Sequence, residues 1–365
     1  MNKLSKTREM LINEFVACLK EEKIPWERGW NIYEQFNPLT HTTYNGVNRF
    51  LLNLVSELKG YTDPRWMTFN QIKKQGYHLK DAKGTGIPIE FWSPYDIKEK
   101  KTISQSEARA ILREEENQDI KESRIKYVCQ SYYVFNAKFI EGLPPFEKNH
   151  IEITHQDVQD FINEYLQNEG IDFHQGGNRA YYNVAEDSIT LPDTSSFKSE
   201  NYYFATFIHE VAHSSGHETR LNRDLSGTNG TIPYAKEELK AEIGSSFLCA
   251  DLGIEIDKDI VNRCKSYVQS WISLIEDKPN ELFKAIHDAE KITEFIKDHG
   301  DYSKIINKDV SQHVLHDKKM SIKDRIQKAK DVQPTKEHDR NHKLSEISRE
   351  EIIKRIDELF VCIFN

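Results

Sequence analysis

Apolar positions in the first 22 residues recur as Leu4, Met10, Leu11, Phe15, Val16 and Leu19, the spacing of an amphipathic helix. The pattern stops in KIPWERGW, where Pro25 breaks it. In NPLTHTTYNGVNRFLLNLVSEL, Asn37-Pro38 and Asn45-Gly46 predict two turns with an extended piece between them and a helix after. RWMTFNQIKKQGYHL predicts a capped helix, with Thr68 as N-cap and Gly76 just past its end. GIPIEFW and RIKYVCQSYYVFNAKFI are aromatic and β-branched with partial alternation, which predicts strands of one sheet. The charge-rich run between them, SQSEARAILREEENQDIKES, reads as an exposed loop or a helical insertion.

Residues 1–145 therefore read as an α+β domain. Pro144-Pro145 stiffens a boundary in GLPPFEKNH. Residues 146–300 form a second, mainly helical region. It opens with helix THQDVQDFINEYLQNEG, and RAYYNVAEDSITLPDTSSF then predicts two short strands around a turn at Glu186-Asp187. Helices follow from about Tyr202 to Ser215, in YAKEELKAEIGSSFLCADLG, in CKSYVQSWISLIE and in PNELFKAIHDAEKITEFIKDH. After residue 300 apolar positions thin out, so residues 301–365 read as a polar, partly helical tail.

Composition adds less. Hydrophobic residues make up 38% and charged residues 30%, the balance of a soluble globular chain. No run of about 18 apolar residues predicts a membrane span, and no apolar segment at the start predicts a secretory leader. Five cysteines lie far apart with no C-x-x-C pair, which points to the reducing cytoplasm and away from a disulfide framework or a zinc ribbon. The net charge of −9 is uneven. Residues 1–150 carry 23 Lys+Arg against 20 Asp+Glu, a net of +3, and the remainder carries 27 against 39, a net of −12. An acidic chain with one less acidic half is compatible with nucleic-acid binding by that half.

The candidate chemistry lies in FIHEVAHSSGHETRL. His209-Glu210-Val211-Ala212-His213 is an H-E-x-x-H motif. On a helix, positions i and i+4 share a face one turn apart, so the two imidazoles can grip one ion. Glu210, beside the first of them, is placed to act on a water as general base. Phe204, Phe207, Ile208, Val211 and Ala212 supply the buried side of that helix. Two histidines and a glutamate on an apolar helix are costly without partners.

Catalytic zinc requires a third protein ligand and one open position. The candidates are His217, Glu218, Glu237, Glu238 and Glu242. His217 follows Gly216, a helix terminator, and has drifted around the axis, so it is expected to stand behind a ligand or to hold the turn rather than to bind the ion. In the helix around 235–250, Leu239, Ile243, Phe247 and Leu248 would pack against the motif helix, and Glu238 and Glu242 stand four apart. This resembles gluzincins, in which a glutamate from a downstream helix completes the site and a polar residue four positions later orients a histidine. Glu238 as ligand and Glu242 as orienter fits that logic; the reverse assignment stays open. One zinc ion per chain is the expected cofactor, with Glu210 relaying a proton during peptide hydrolysis. Tyr234 is a candidate to stabilise the oxyanion, and SITLP a candidate edge strand for a peptide substrate, an ordinary core strand being the alternative.

These words in order, with NPLTHTTYNGVNRFLL, DPRWMTFNQIKKQGYHLKDAKGTGIPIEFW and YYVFNAKFIEGLP before them, resemble the ArdC antirestriction family of conjugative plasmids and mobile elements over residues 5–298. The acidic segment around 102–124 and the tail after 300 fall outside the pattern. The resemblance implies a single-stranded-DNA-binding domain in residues 1–145, a zincin-like metallopeptidase domain after it, and protection of incoming DNA from restriction, with restriction enzymes or other DNA-bound proteins as targets. Lys73, Lys74 and Arg49 are the candidate DNA contacts, the two lysines near Tyr77, His78 and Trp92 and Arg49 in a neighbouring stretch. Basic groups meet phosphates and exposed aromatics stack on bases. Against that, Trp26, Trp30, Trp66 and Trp92 can each be core residues.

Overall fold

The computed structural model describes residues 4–21, 23–26, 34–118, 122–146, 153–256 and 258–306; side chains of 116–117 and 258–266 lie outside that description. Trp30, the side chain of Cys264, most of GLPPFEKNH beyond Phe146 and the tail from 307 onward are therefore not treated.

In the first half, helix α1 (Lys6–Lys20) is started by Ser5, whose hydroxyl accepts from the Arg8 N–H, and it buries Leu11, Phe15, Val16 and Leu19. Helix α2 (Gly46–Lys59) begins directly at Asn45, with Gly46 at φ 56°. The Asn45-Gly46 pair is thus the helix start and not a separate turn ahead of it. Strand β1 (Trp66–Thr68) runs into α3 (Phe69–Lys74), where Thr68 and Gln71 form the expected capping box and Gly76 at φ 74° follows the end. Strands β2 (His78–Leu79), β3 (Ile87–Asp96) and β4 (Lys101–Thr102) come next. The charge-rich insertion is helix α4 (Gln105–Asn117), and β5 (Ile125–Asn136) and β6 (Ile140–Glu141) complete this half.

The sheet order is β1-β5-β3-β4, and β3 pairs antiparallel with β5 along its whole length, from Ile87 opposite Val134 to Asp96 opposite Ile125. Between the short neighbours β1 and β4, these two strands form a ribbon.

In the second half, α5 (His155–Glu169) is bounded by a Thr154/Asp157 capping box and by left-handed Gly170. Strands β7 (Asp172–Gln175), β8 (Tyr181–Asn183) and β9 (Ser188–Leu191) form a small sheet in the order β7-β9-β8. The SITLP segment is therefore its central strand, parallel to β7 on one side and antiparallel to β8 on the other. That corrects the edge-strand expectation: both rows of its backbone groups are already paired, so it has none to offer a peptide. Strand β8 is an edge instead.

Helices α6 (Glu200–Ser214), α7 (Ile232–Asp251), α8 (Lys258–Asp277) and α9 (Asn280–His299) follow. Helix α7 is buried nearly all round. Leu239, Ile243 and Phe247 join a core shared with Phe15, Trp26 and Phe50 of the first half. Ala241, Leu248 and Cys249 join a second core with α5, α6 and β9. Gly244 lets α9 approach closely, since a Cβ there would sit 3.1 Å from Ile292. A helix enclosed in this way cannot carry glutamates without partners. The mixed helix-and-sheet architecture is the α+β class expected.

Candidate metal centre

Helices α6 and α7 bring His209, His213 and Glu238 together, with one ligand atom from each lying within 4.8 Å of the others. The two Nε2 atoms face each other at 3.1 Å, with the ring planes nearly perpendicular. The Glu238 carboxylate spans them, Oε2 at 3.7 Å from His209 Nε2 and Oε1 at 3.5 Å from His213 Nε2. Behind each imidazole stands a further carboxylate. Glu242 Oε1 lies 3.4 Å from His209 Nδ1, and Glu237 Oε1 lies 3.5 Å from His213 Nδ1. All three glutamates are buried, as is Glu210.

Burial alone would lower the His213 pKa, but the carboxylates of Glu237, Glu238 and Glu210 overcome it and push the imidazole up to about 9. Burial acts to raise the Glu237 pKa, yet His213 and Arg223 hold that carboxyl below its usual range.

A cavity of about 770 Å³ opens onto these groups. Arg179, with Tyr181 and Tyr182 of the β8 edge, borders it on one side, and Tyr234 and Tyr267 on another. The two tyrosine hydroxyls are 3.4 Å apart. Burial, Tyr267 and Glu238 all raise the Tyr234 pKa, so this phenol keeps its proton at neutral pH.

The remaining expected residues fall elsewhere. His217 lies in the turn after α6, its Nδ1 bonded to Thr219, and is not among the converging ligand atoms. Helix α6 ends at Ser214, before His217, and Glu237 takes the position behind His213. Glu237 stood among the candidate third ligands but not as the group behind His213, and its partner Arg223 was not singled out from the sequence. Their only signal is that Glu237 directly precedes Glu238.

Arg49 is a correction. Its side chain is 8% exposed, and it donates to Asp251 at 2.7 Å and to the Phe247 carbonyl at 3.2 Å. A guanidinium turned inward onto a buried carboxylate is not available to a phosphate. Lys73 and Lys74 are exposed in the last turn of α3. Trp26 and Trp66 are core residues, whereas Trp92 is exposed.

Trp92 belongs to a patch on the ribbon. Residues directly opposite in the β3/β5 register share a face. One face thus carries Trp92, Tyr127 and Tyr133, and the other Phe91, Val128 and Tyr132, all exposed. Arg8 lies 5.9 Å from the Trp92 ring and Lys6 lies 6.0 Å from the Tyr133 ring, both on the first face.

Comparison with known proteins accounts for both halves. Residues 5–135 match the N-terminal domain of anti-restriction factor ArdC, and residues 160–288 match a zincin-like metallopeptidase family. The metal-free crystal structure of antirestriction ArdC protein from the R388 plasmid superposes with a TM-score of 0.63 at 25% identity, covering 82% of this chain and 99% of that one. The chain is an ArdC-like protein.

The Mn(II)-bound structure of R388 ArdC matches the ArdC-like chain equally well, with a TM-score of 0.62 at 26% identity over 80% of this chain and 97% of that one. Two DNA primases TraC of Escherichia coli are each 34% identical to it over 79% of its length. It spans only 20% and 27% of the lengths of those primases. Among the described residues no helix is long and apolar enough to cross a membrane.

Proposed function

We propose that this protein is an antirestriction factor whose first half binds single-stranded DNA and whose second half is a zinc-dependent peptidase, acting in the cytoplasm on restriction enzymes or other DNA-bound proteins. The observation that carries the peptidase reading is the converging set His209, His213 and Glu238 with Glu210 beside it, facing an open cavity.

The donor set fits a divalent ion. It offers two imidazole nitrogens, which ligate in the neutral form once an ion displaces the proton His213 otherwise holds, and a carboxylate, the borderline ligands that suit zinc and its neighbours. The Nε2 separation of 3.1 Å is close to the roughly 3.3 Å edge of a tetrahedral site with bonds of about 2.0–2.1 Å. Carboxylates 3.4 and 3.5 Å from the two Nδ1 atoms favour the tautomer that leaves each Nε2 lone pair pointing at the common centre. R388 ArdC, a structural relative, has been seen with Mn(II), which supports a divalent metal here.

When bound, such an ion supplies Lewis acidity, polarising a carbonyl and acidifying water. The chain's own groups do the rest. Strand β8, an unpaired edge at the cavity, can take an extended peptide by strand addition. Glu210 accepts the proton of the attacking water and later delivers it to the leaving amine. Tyr234, kept protonated, donates a hydrogen bond to the developing oxyanion.

For the first half, the exposed aromatics on the Trp92/Tyr133 face of the β3/β5 ribbon, with Lys6 beside them, are the surface that best suits unpaired bases and their phosphates, Arg8 on that face being held by Glu90. Lys73 and Lys74 are retained as phosphate contacts. The deciding experiment is Glu210→Gln in a transfer assay that scores protection of entering DNA from restriction. Protection should be lost while single-stranded-DNA binding and metal content persist. Full protection by the variant would remove proteolysis from the mechanism and leave a DNA-coating module with a structural metal.

A further inference from the structure

Glu242 reaches His209 Nδ1 from within α7, while Glu237 is itself gripped by a residue from the loop between α6 and α7. Arg223 Nε lies 3.3 and 3.2 Å from the two Glu237 oxygens, and Nη2 lies 2.7 Å from Oε1. Its other donors go to the end of α6: Nη2 to the Ala212 carbonyl at 2.8 Å and Nη1 to the Ser215 hydroxyl at 2.8 Å. The side chain is 6% exposed. The guanidinium lies against Gly216 so closely that a Cβ there would sit 2.9 Å from Cζ. One planar group thus ties the C-terminal turn of the H-E-x-x-H helix to the carboxylate behind His213.

We propose that Arg223 is a positioning residue of the metal centre, holding Glu237 against His213 Nδ1 so that His213 presents Nε2 to the ion in one tautomer and one orientation. The inference rests on reading the His209/His213/Glu238 cluster as that centre. Two alternatives for Arg223 are weaker. It is not a substrate anchor, because its donors are spent on Glu237, Ala212 and Ser215 and it does not line the cavity. As a helix cap alone it would need only the α6 contacts, yet its shortest contact is to Glu237. Lysine cannot substitute. A single ammonium on a flexible stem cannot span both Glu237 oxygens, a carbonyl and a hydroxyl in one plane.

The test measures Mn(II) affinity of the full chain by EPR of free Mn(II), with Zn(II) affinity by chelator competition and thermal melts of metal-free protein alongside. The variants are Arg223→Gln, Arg223→Lys, Glu237→Gln and the Arg223→Gln/Glu237→Gln double. Loss of a group that orients a ligand costs roughly 10–100-fold in metal affinity. Arg223→Gln and Glu237→Gln should each show a loss in that range, Arg223→Lys should recover little of it, and the double should bind no more weakly than Glu237→Gln alone. Wild-type affinity in Arg223→Gln, or losses that multiply in the double, would overturn the proposal. Should Arg223→Gln fail to fold, Arg223→Lys decides: weaker Mn(II) binding at an unchanged melting temperature supports the role, and unchanged binding ends it. A wild-type chain that binds neither ion ends this role together with the metal reading, a result distinct from a wild type that binds and variants that bind equally.

Discussion

Arg49 Nη2 on α2 lies 2.7 Å from Asp251 Oδ1 at the end of α7, and this buried pair joins the first half to the helix that carries Glu237, Glu238 and Glu242. Lys297 of α9 meets the other oxygen of Asp251 at 2.5 Å. Removing one member of a buried pair costs about 3–5 kcal/mol when the other charge is left with no partner. Lys297 still meets Asp251 once Arg49 is gone, so Arg49→Met should lower unfolding free energy in urea titration by less than that. The folded fraction should bind single-stranded oligonucleotide as wild type does. A stable variant with weakened DNA binding would restore Arg49 as a contact.

Metal content should rank the carboxylates of α7. Wild type is expected to hold about one zinc per chain, and His213→Ala and Glu238→Ala to hold little. Glu242→Gln should retain metal at saturation but bind it roughly 10–100-fold more weakly, as expected for a residue behind a ligand. Elemental analysis with calorimetric titration reads all three. If Glu242→Gln empties the site while Glu238→Ala keeps it, the two roles are exchanged.

The ribbon makes a separate claim about the first half. Base stacking on an aromatic is worth about 1–3 kcal/mol by alanine substitution. Trp92→Ala and Tyr133→Ala should each weaken binding of a single-stranded oligonucleotide by that amount in anisotropy titrations, with little effect on melting because both rings are exposed. Lys73→Gln should instead weaken binding modestly and reduce the slope of log affinity against log salt by about 0.7 if it meets one phosphate. Unchanged affinity in both aromatic variants would move the DNA surface off the ribbon.

Much of this was legible in the chain, for reasons particular to each element. Thr68 with Gln71 and Thr154 with Asp157 mark helix starts, because a side-chain oxygen three residues before a polar partner satisfies end N–H groups whatever the tertiary context. His209 and His213 could be paired from spacing alone, because a helix fixes i and i+4 on one face. The third ligand stayed open because α7 is buried on every side, so no polar stripe tells which of Glu237, Glu238 and Glu242 points where. Arg49 misled because its neighbours on α2 do not reveal a partner 202 residues away. The central place of β9 was hidden because its parallel neighbour β7, Asp172–Gln175, is exposed throughout and carries no apolar alternation.

Glu290 gives a pH dependence that tests the junction between the halves. From α9 it accepts the Gly46 N–H of α2 at 2.7 Å and lies 3.9 Å from Arg49 Nη1. Burial is the largest influence and raises its pKa, Arg49 and the Gly46 N–H oppose that, and Asp251 on α7 and Glu294 on α9 add to the rise. A group whose folded pKa is raised contributes its stability fully below the unfolded value, here 4.5, and loses it as pH climbs through the folded pKa. Ionised Glu290 is therefore a net burden at neutral pH despite its contact with Arg49. Glu290→Gln keeps the acceptor for Gly46 and removes the charge. The variant should be more stable than wild type at pH 7, and the difference should shrink towards pH 4 as wild-type Glu290 takes up its proton. Parallel urea titrations of both proteins across that interval decide it. A variant less stable at pH 7 would mean that the attraction to Arg49 outweighs burial.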